Sequence, residues 1–393
     1  MRIAIFIETL LTGGAELFAL RMADFLSKDN EVVLYNFYSD KTNSYVNEKI
    51  KNSAIHYEAC TIPFDYFIRK ADSLLIKAGL DIGIRNFFLR KHIKKVIQKY
   101  SIEALHSNQF KVDMNVSLVN ASLKLPHTVT IHGDYITFYH ASKRGQNFGV
   151  LHYEKKLKEV LRRIDHVVCI SDQQLDFFRT HANGVQNKLV KIYNGYALPD
   201  QITSIDRIKY NIPEDAFVYG MVARGIPEKG WENLVKAFLT LNDTDTYLVL
   251  VGSSLYLDTL KNEYPDERII FAGHSQNPLE WIGLFDVGVL PSYYSSESLP
   301  TSLIEYLALG KPVIATDKGE IPNMIDAKAT TPSGILIKLV NDVPDQNELI
   351  VAMKKLKEDK AFYKTLSAQT KKSFIQFDME NSVRQYKELY LKK

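Results

Sequence analysis

Short apolar runs that end in Gly, Ser, His or Asn alternate with helical patterns along the whole chain, and this constrains the fold more than any other feature. Such alternation is the mark of a parallel α/β architecture. In the first half the runs are RIAIFIE, EVVLYNF, ALHSN, HTVTIHG, HVVCIS and LVKIYNG. In the second half they are FVYGMVA, YLVLVG, IIFAG, VGVLPS and PVIATD, then GILIK. Asn194-Gly195 closes a strand, and YALPDQITSID after it reads as a linker. At 393 residues the chain exceeds a usual single core. The expected organisation is therefore a Rossmann-like domain over 1–197, a second over 198–370, and a terminal helix over 371–393. Two such halves place a cleft between them, where ligands meet the C-terminal ends of strands.

The segment PSYYSSESLPTSLIEYLALGKPVIATD, 291–317, carries the chemistry. It reads as a strand end, a short loop, a helix stopped at Gly310, and a second strand. Ser298 or Pro300 starts the helix, because Ser caps and Pro fits a first turn. The N–H groups near Leu299–Ser302 then point out of a helix N-terminus, where an anion binds best. Glu305 lies just over one turn inside that helix, and Glu297 stays on the loop before it. A phosphate seat flanked by two carboxylates that seek hydroxyls is what a nucleotide-sugar needs.

Glu297-x7-Glu305 followed by ALGKPVIATD resembles the donor signature of retaining glycosyltransferases of the GT-B fold, family 4. The resemblance implies two Rossmann-like domains facing each other across a cleft, with the terminal helix returning to the first. It also implies that Glu297 contacts the donor sugar, that Glu305 holds the ribose, and that the backbone from Ser298 through Leu299 and Pro300 to Thr301 cradles the diphosphate. Arg224 and Lys229, in MVARGIPEKGWENLVKAF, sit between a strand and a helix. Alone they read as two surface charges; by the resemblance they neutralise the leaving diphosphate. Gly13-Gly14 after the first strand reads as a plain strand–helix turn or, by the resemblance, as the glycine loop beside the donor sugar. It lacks the full G-x-G-x-x-G pattern. His132 ends the strand HTVTIHG and matches a histidine that contacts the transferred sugar; the intervening Gly133 sets Asp134 apart from the family pattern. Gly273 in IIFAGHS resembles the loop whose backbone reads the base. Asn108, Ser171 and Asn194 also end strands, and turn-capping accounts for each as well as an acceptor role does.

Other classes are excluded or weakened. Asp243-Thr244-Asp245 mimics a metal-binding D-x-D, but it leads into YLVLV at the wrong end of the strand, and Asp and Thr favour such turns. No His/Cys cluster suggests zinc. Neither metal nor cofactor is therefore expected. Cys60 and Cys169 sit among apolar neighbours and read as buried thiols in a reducing compartment. A net charge of +3 gives no general pull toward nucleic acid. No apolar run approaches the ~18 residues of a membrane span, and MRIAIFIETL reads as a first core strand rather than a signal peptide. Lys and Arg outnumber Asp from Arg69 to Tyr100, interleaved with Phe67, Leu74, Phe87 and Phe88. Within residues 65–100, Leu89, Ile93, Ile97 and Tyr100 share one face and read as an ordinary core-facing helix with a basic side. Asp65–Phe88, apolar and basic without clean periodicity, reads as the place for a peripheral contact with an anionic membrane or a lipid acceptor.

The expected reaction is transfer of a sugar from a nucleoside diphosphate, UDP before GDP, to a carbohydrate or lipid-linked acceptor. Retention at the anomeric carbon, independence of metal, and a role in bacterial capsule or lipopolysaccharide assembly at the cytoplasmic face follow from the resemblance. A nucleotide-sugar epimerase of the same fold and a non-catalytic nucleotide-sugar sensor are the rivals.

Overall fold

The computed structural model describes residues 1–393 apart from 12, 147–148, 183, 200, 204, 296 and 393. It divides into two compact units, Met1–Ala197 with Asp378–Lys393, and Leu198–Phe377.

The first unit is built on seven parallel strands: β1 Arg2–Ile7, β2 Glu31–Asn36, β3 His56–Ala59, β4 Ala104–Asn108, β5 His127–Ile131, β6 His166–Cys169 and β7 Leu189–Lys191. Their order is β3-β2-β1-β4-β5-β6-β7. Ile3 to Ile7 of β1 are fully buried, as expected where helices cover both faces of a parallel sheet. The helix Gly14–Leu26 covers one face with Phe18, Ala19, Met22, Ala23 and Leu26, a helical spacing that gathers its apolar side chains into one stripe.

The second unit carries β8 Phe217–Val222, β9 Thr246–Val251, β10 Ile269–Gly273, β11 Val287–Leu290, β12 Val313–Thr316 and β13 Gly334–Ile337. Their order is β10-β9-β8-β11-β12-β13, again all parallel. The winding direction reverses between β1 and β4 in one unit and between β8 and β11 in the other. At such a point successive crossovers leave toward opposite faces, and a crevice opens at the strands' C-terminal ends.

The chain returns to the first unit at Asp378, whose side chain caps the helix Met379–Tyr390. Residues 371–377, grouped above with the terminal segment, instead complete the helix Lys360–Ile375 and its exit within the second unit, because the capping Asp lies after them. Gly195 lets the terminal helix approach: a Cβ there would lie 2.8 Å from the Met379 Cα. Tyr386 and Tyr390 then reach a buried polar cluster. His106 Nδ1 lies 2.6 Å from the Tyr390 hydroxyl and Nε2 lies 2.9 Å from Thr130 Oγ1, which is 2.8 Å from the Tyr386 hydroxyl. Burial holds His106 neutral, its pKa down at about 3. Cys60 and Cys169 are buried free thiols, Cys169 pushed up to about 12 by its apolar surroundings. Among the described residues, no helix is long and apolar enough to cross a membrane.

Candidate functional site

The loop after β8 begins the site. Beyond Val222 the chain passes Arg224, makes a 3-10 turn at Pro227–Lys229, and enters the helix Trp231–Leu241 through Gly230. Gly230 has φ +82°, and a Cβ on it would lie 2.1 Å from the Pro291 carbonyl oxygen. Only glycine lets this loop lie against the chain leaving β11. The two loops are tied further: Tyr293 N–H donates to the Glu228 carbonyl at 2.8 Å. Trp231 Nε1–H donates to the Arg224 carbonyl at 3.0 Å, fixing the backbone that carries the arginine.

These ties bring Lys229 and Glu297 together. The ammonium donates to Glu297 Oε2 at 2.5 Å, with the two residues only 7% and 6% exposed. Ser292 Oγ donates to the same oxygen at 2.6 Å. The Arg224 guanidinium and the Lys229 ammonium each lie 5.1 Å from the centre of the Tyr294 ring. Two cations and a buried carboxylate thus converge where β8 and β11 part.

The helix after the β11 loop runs Thr301–Ala308 with Pro300 at its N-cap and no side-chain cap. Of the two starts open to the sequence reading, Pro300 is the one used. Ser298 does not cap, and its hydroxyl is buried without a partner among the described residues. The first-turn amides of Thr301 and Ser302 head a helix whose N-terminal N–H groups have no intrahelical acceptor. Glu305 is buried inside this helix. Its neighbour Tyr306 crosses β11 at Gly288, where a Cβ would sit 2.3 Å from the ring, and its hydroxyl accepts the Val222 N–H at 2.7 Å. This contact locks the helix across the switch point. The helix stops as a Schellman turn, with Gly310 at φ +76° and the Lys311 N–H on the Tyr306 carbonyl at 2.9 Å. Behind the site, Gly319 at φ +56° would place a Cβ 2.1 Å from the Glu297 carbonyl oxygen, and Glu320 N–H donates to the Ser298 carbonyl at 3.0 Å.

Gly273 ends β10 with φ +76°, on the same edge of the sheet but two strands from β8. Asp243 lies at the opposite edge, before β9; its carboxylate pairs with Lys357 and its carbonyl accepts from Arg268, so it serves as a tied turn.

In the first unit Gly13 is the N-cap of the helix Gly14–Leu26, at φ −83°. A Cβ on Gly13 would meet Glu16 Oε2 at 2.2 Å, and Thr9 Oγ1 donates to Glu16 Oε1 at 3.1 Å. The missing side chain makes room for Glu16, a residue the sequence reading did not single out, while Gly14 faces open space. His132 Nε2 lies 2.9 Å from Asn108 Oδ1. Asn108 Nδ2 donates to the Phe6 carbonyl at 3.2 Å, which fixes the amide and makes His132 Nε2 the protonated nitrogen. Burial holds the ring neutral, its pKa down at about 4, so Nδ1 is an acceptor. Asn108 therefore orients His132. Asp134 turns away to accept the Phe110 N–H at 2.5 Å, and burial pushes its carboxyl up to about 6. Ser171 caps the helix Asp172–His181 through the Gln174 N–H at 3.3 Å. Asn194 Oδ1 is buried without a partner among the described residues.

Comparison with known proteins settles the family. Residues 12–198 match Glycosyltransferase Family 4, and residues 203–373 match Glycosyl transferases group 1. The chain is a family 4 glycosyltransferase. It is 24% identical over 297 residues to N-acetyl-alpha-D-glucosaminyl L-malate synthase of Bacillus anthracis, covering 70% of this chain and 74% of that protein. It is 28% identical over 131 residues to the lipopolysaccharide core biosynthesis glycosyltransferase LpsE of Rhizobium meliloti, covering 32% of this chain and 37% of that one. The crystal structure of Anabaena Alr3699/HepE in complex with UDP has the same fold, with a TM-score of 0.75, 18% identity and 99% of each chain covered. Both α/β units of this glycosyltransferase are thus those of the GT-B fold.

Proposed function

We propose that this glycosyltransferase moves a sugar from a nucleoside diphosphate, UDP rather than GDP, to a carbohydrate or lipid-linked acceptor, with retention at the anomeric carbon and without metal. The observation that carries the reading is the buried Lys229–Glu297 pair beside Arg224 at the β8/β11 switch point. A diphosphate that departs needs its growing charge offset. Lys229 engages Glu297 with one of its three donors, which leaves two for phosphate oxygens. Arg224 and the first-turn amides from Thr301 add further donors, each worth ~3–4 kcal/mol at the transition state in a dry site. With that charge met by protein groups, no divalent ion is called for.

Glu297, held by Lys229 and Ser292, keeps an oxygen to accept from a sugar hydroxyl, and Glu305 serves the ribose. Leu299, Pro300 and Thr301 supply backbone to the diphosphate, and Gly273 supplies it to the base. In the first unit His132 accepts a sugar hydroxyl at Nδ1, with Gly13 and Gly14 giving backbone access. The leaving phosphate takes the acceptor's proton on the face it departs from, so no protein nucleophile is used. Support for UDP comes from HepE, whose structures were solved with UDP and with UDP-glucose. Support for a role in bacterial surface polysaccharide assembly comes from the likeness to LpsE, a lipopolysaccharide core biosynthesis glycosyltransferase.

The test is incubation with UDP-, GDP- and ADP-sugars, with and without oligosaccharide acceptors, followed by proton NMR of the product's anomeric signal. Transfer with the donor's configuration kept supports the proposal. Conversion of donor without acceptor identifies an epimerase, binding without turnover a sensor, and an inverted product contradicts the mechanism.

A further inference from the structure

The helix Asp65–Lys77 leaves large apolar side chains, Tyr66, Phe67 and Leu74, exposed. None of its residues is fully buried, and its half-buried face mixes charged with aliphatic side chains, Asp65, Arg69 and Asp72 beside Ile68, Leu75 and Ile76. Asp65 pairs with Arg85 at 2.8 Å and with Arg69 at 3.3 Å; Arg69 also reaches Asp40 at 2.8 Å. Arg85, itself buried, donates to the Phe37 carbonyl at 2.6 Å. Asp72 accepts the N–H groups of Ile84 and Arg85, at 2.7 and 2.9 Å, and so caps the following helix Ile84–Lys99. These ionic contacts and the buried Leu89, Ile93, Val96 and Ile97 hold the hairpin in place while several other large apolar side chains stay outside. Phe64 is 79% exposed, Phe67 67%, Leu74 67%, Ile82 63% and Phe87 66%. An exposed cluster of large apolar side chains on a folded domain marks an interaction surface.

The exposed charge around this apolar crest is mainly basic. Lys70, Lys77, Lys91, Lys94 and Lys95 are all exposed. Beside the hairpin's turn at Asp81–Gly83 lies a cavity of about 260 Å³, whose lining includes Arg90, Lys155, Lys156 and Arg163 against Asp81 and Glu159. We infer that the hairpin of residues 64–99 docks this protein on an anionic bilayer: the aromatic and aliphatic crest enters the headgroup boundary and the lysines meet lipid phosphates. A second copy of the chain suits the surface poorly, because a two-fold contact would set these lysines against their own counterparts. The inference stands apart from the donor chemistry and locates the lipid-linked acceptor's membrane on the first unit.

The test is sedimentation of the full chain with vesicles of phosphatidylcholine alone or containing phosphatidylglycerol, at low and high salt. The wild type should bind the anionic vesicles, and salt should weaken that binding. The variant Phe64→Ser, Phe67→Ser, Phe87→Ser should bind about tenfold or more weakly, with its melting temperature and its UDP-induced thermal shift unchanged. A second variant, Lys91→Gln, Lys94→Gln, Lys95→Gln, should lose the preference for phosphatidylglycerol. Equal vesicle binding by wild type and the serine variant overturns the inference. So does absence of vesicle binding, or a wild-type dimer that the serine variant dissolves. The UDP-induced shift reports separately on the proposed function.

Discussion

Breaking the Lys229–Glu297 pair tests the architecture of the site. At the 2.5 Å separation, the attraction is about 7 kcal/mol for an effective dielectric of 20, much of it offset by desolvation of two buried charges. Lys229→Met leaves the Glu297 carboxylate buried with, among the described residues, the Ser292 hydroxyl to answer it. Loss of one partner from a buried pair costs about 3–5 kcal/mol, and the retained Ser292 bond favours the lower end, about 3 kcal/mol. Both tryptophans, Trp231 and Trp281, lie in the second unit, so urea unfolding followed by their fluorescence reports on that unit. The midpoint should fall by about 1–2 M urea. Glu297→Gln should cost a similar amount through the stranded ammonium. The double variant should recover to within about 1 kcal/mol of wild type, a coupling of about 5 kcal/mol between the two positions. Glycosyl transfer should drop about 100- to 1,000-fold in both single variants and should not return in the double variant. A Lys229→Met midpoint equal to wild type, or additive losses in the double variant, would refute the reasoning.

Two further outcomes follow from the same structure. Gly319→Ala forces a left-handed backbone and a 2.1 Å approach to the Glu297 carbonyl, so it should destabilise the second unit by about 2 kcal/mol or more and abolish any donor-induced thermal shift. His106 is held neutral in the folded first unit with a pKa of about 3, against 6.5 in the unfolded chain. The unfolded chain therefore takes up the proton first, and this residue's stabilisation is present above pH 6.5 and lost as pH falls toward 3. Thermal melts should show His106→Gln losing less stability than wild type on acidification from pH 7 to pH 4; a constant gap would contradict this.

Much of the fold was legible because parallel strands advertise themselves. Twelve strand cores, from RIAIFIE to GILIK, coincide with β1, β2 and β4–β13. One missed strand, β3, is HYEA: a short edge strand with no fully buried residue and Glu58 tied to Lys99 and Tyr100, so it has no apolar run to read. The two-residue strands Leu339–Val340 and Val343–Pro344 were also missed, being too short to show a pattern. The donor segment was legible as strand, loop and helix, yet the helix start was left between Ser298 and Pro300, because both residue types satisfy a first turn. The Lys229–Glu297 pair was not legible. Its members are 68 residues apart, and only the approach allowed by Gly230 brings them together. The same holds for the cluster of His106, Thr130, Tyr386 and Tyr390, which exists only once the terminal helix lies on the first sheet. In the hairpin, the apolar face of the helix Ile84–Lys99 was legible, since Leu89, Ile93 and Ile97 enter the core and the lysines lie outside. The preceding helix, Asp65–Lys77, has no clean periodicity because its half-buried face mixes Asp65, Arg69 and Asp72 with Ile68, Leu75 and Ile76.

The most direct measurement is calorimetric titration of UDP into wild type and Arg224→Ala, both in EDTA. The account predicts binding to the wild type in chelator and a loss of about tenfold or more in affinity for the variant, the worth of one charge-assisted phosphate contact. Binding that demands a divalent ion, or equal affinity in the two proteins, would contradict it.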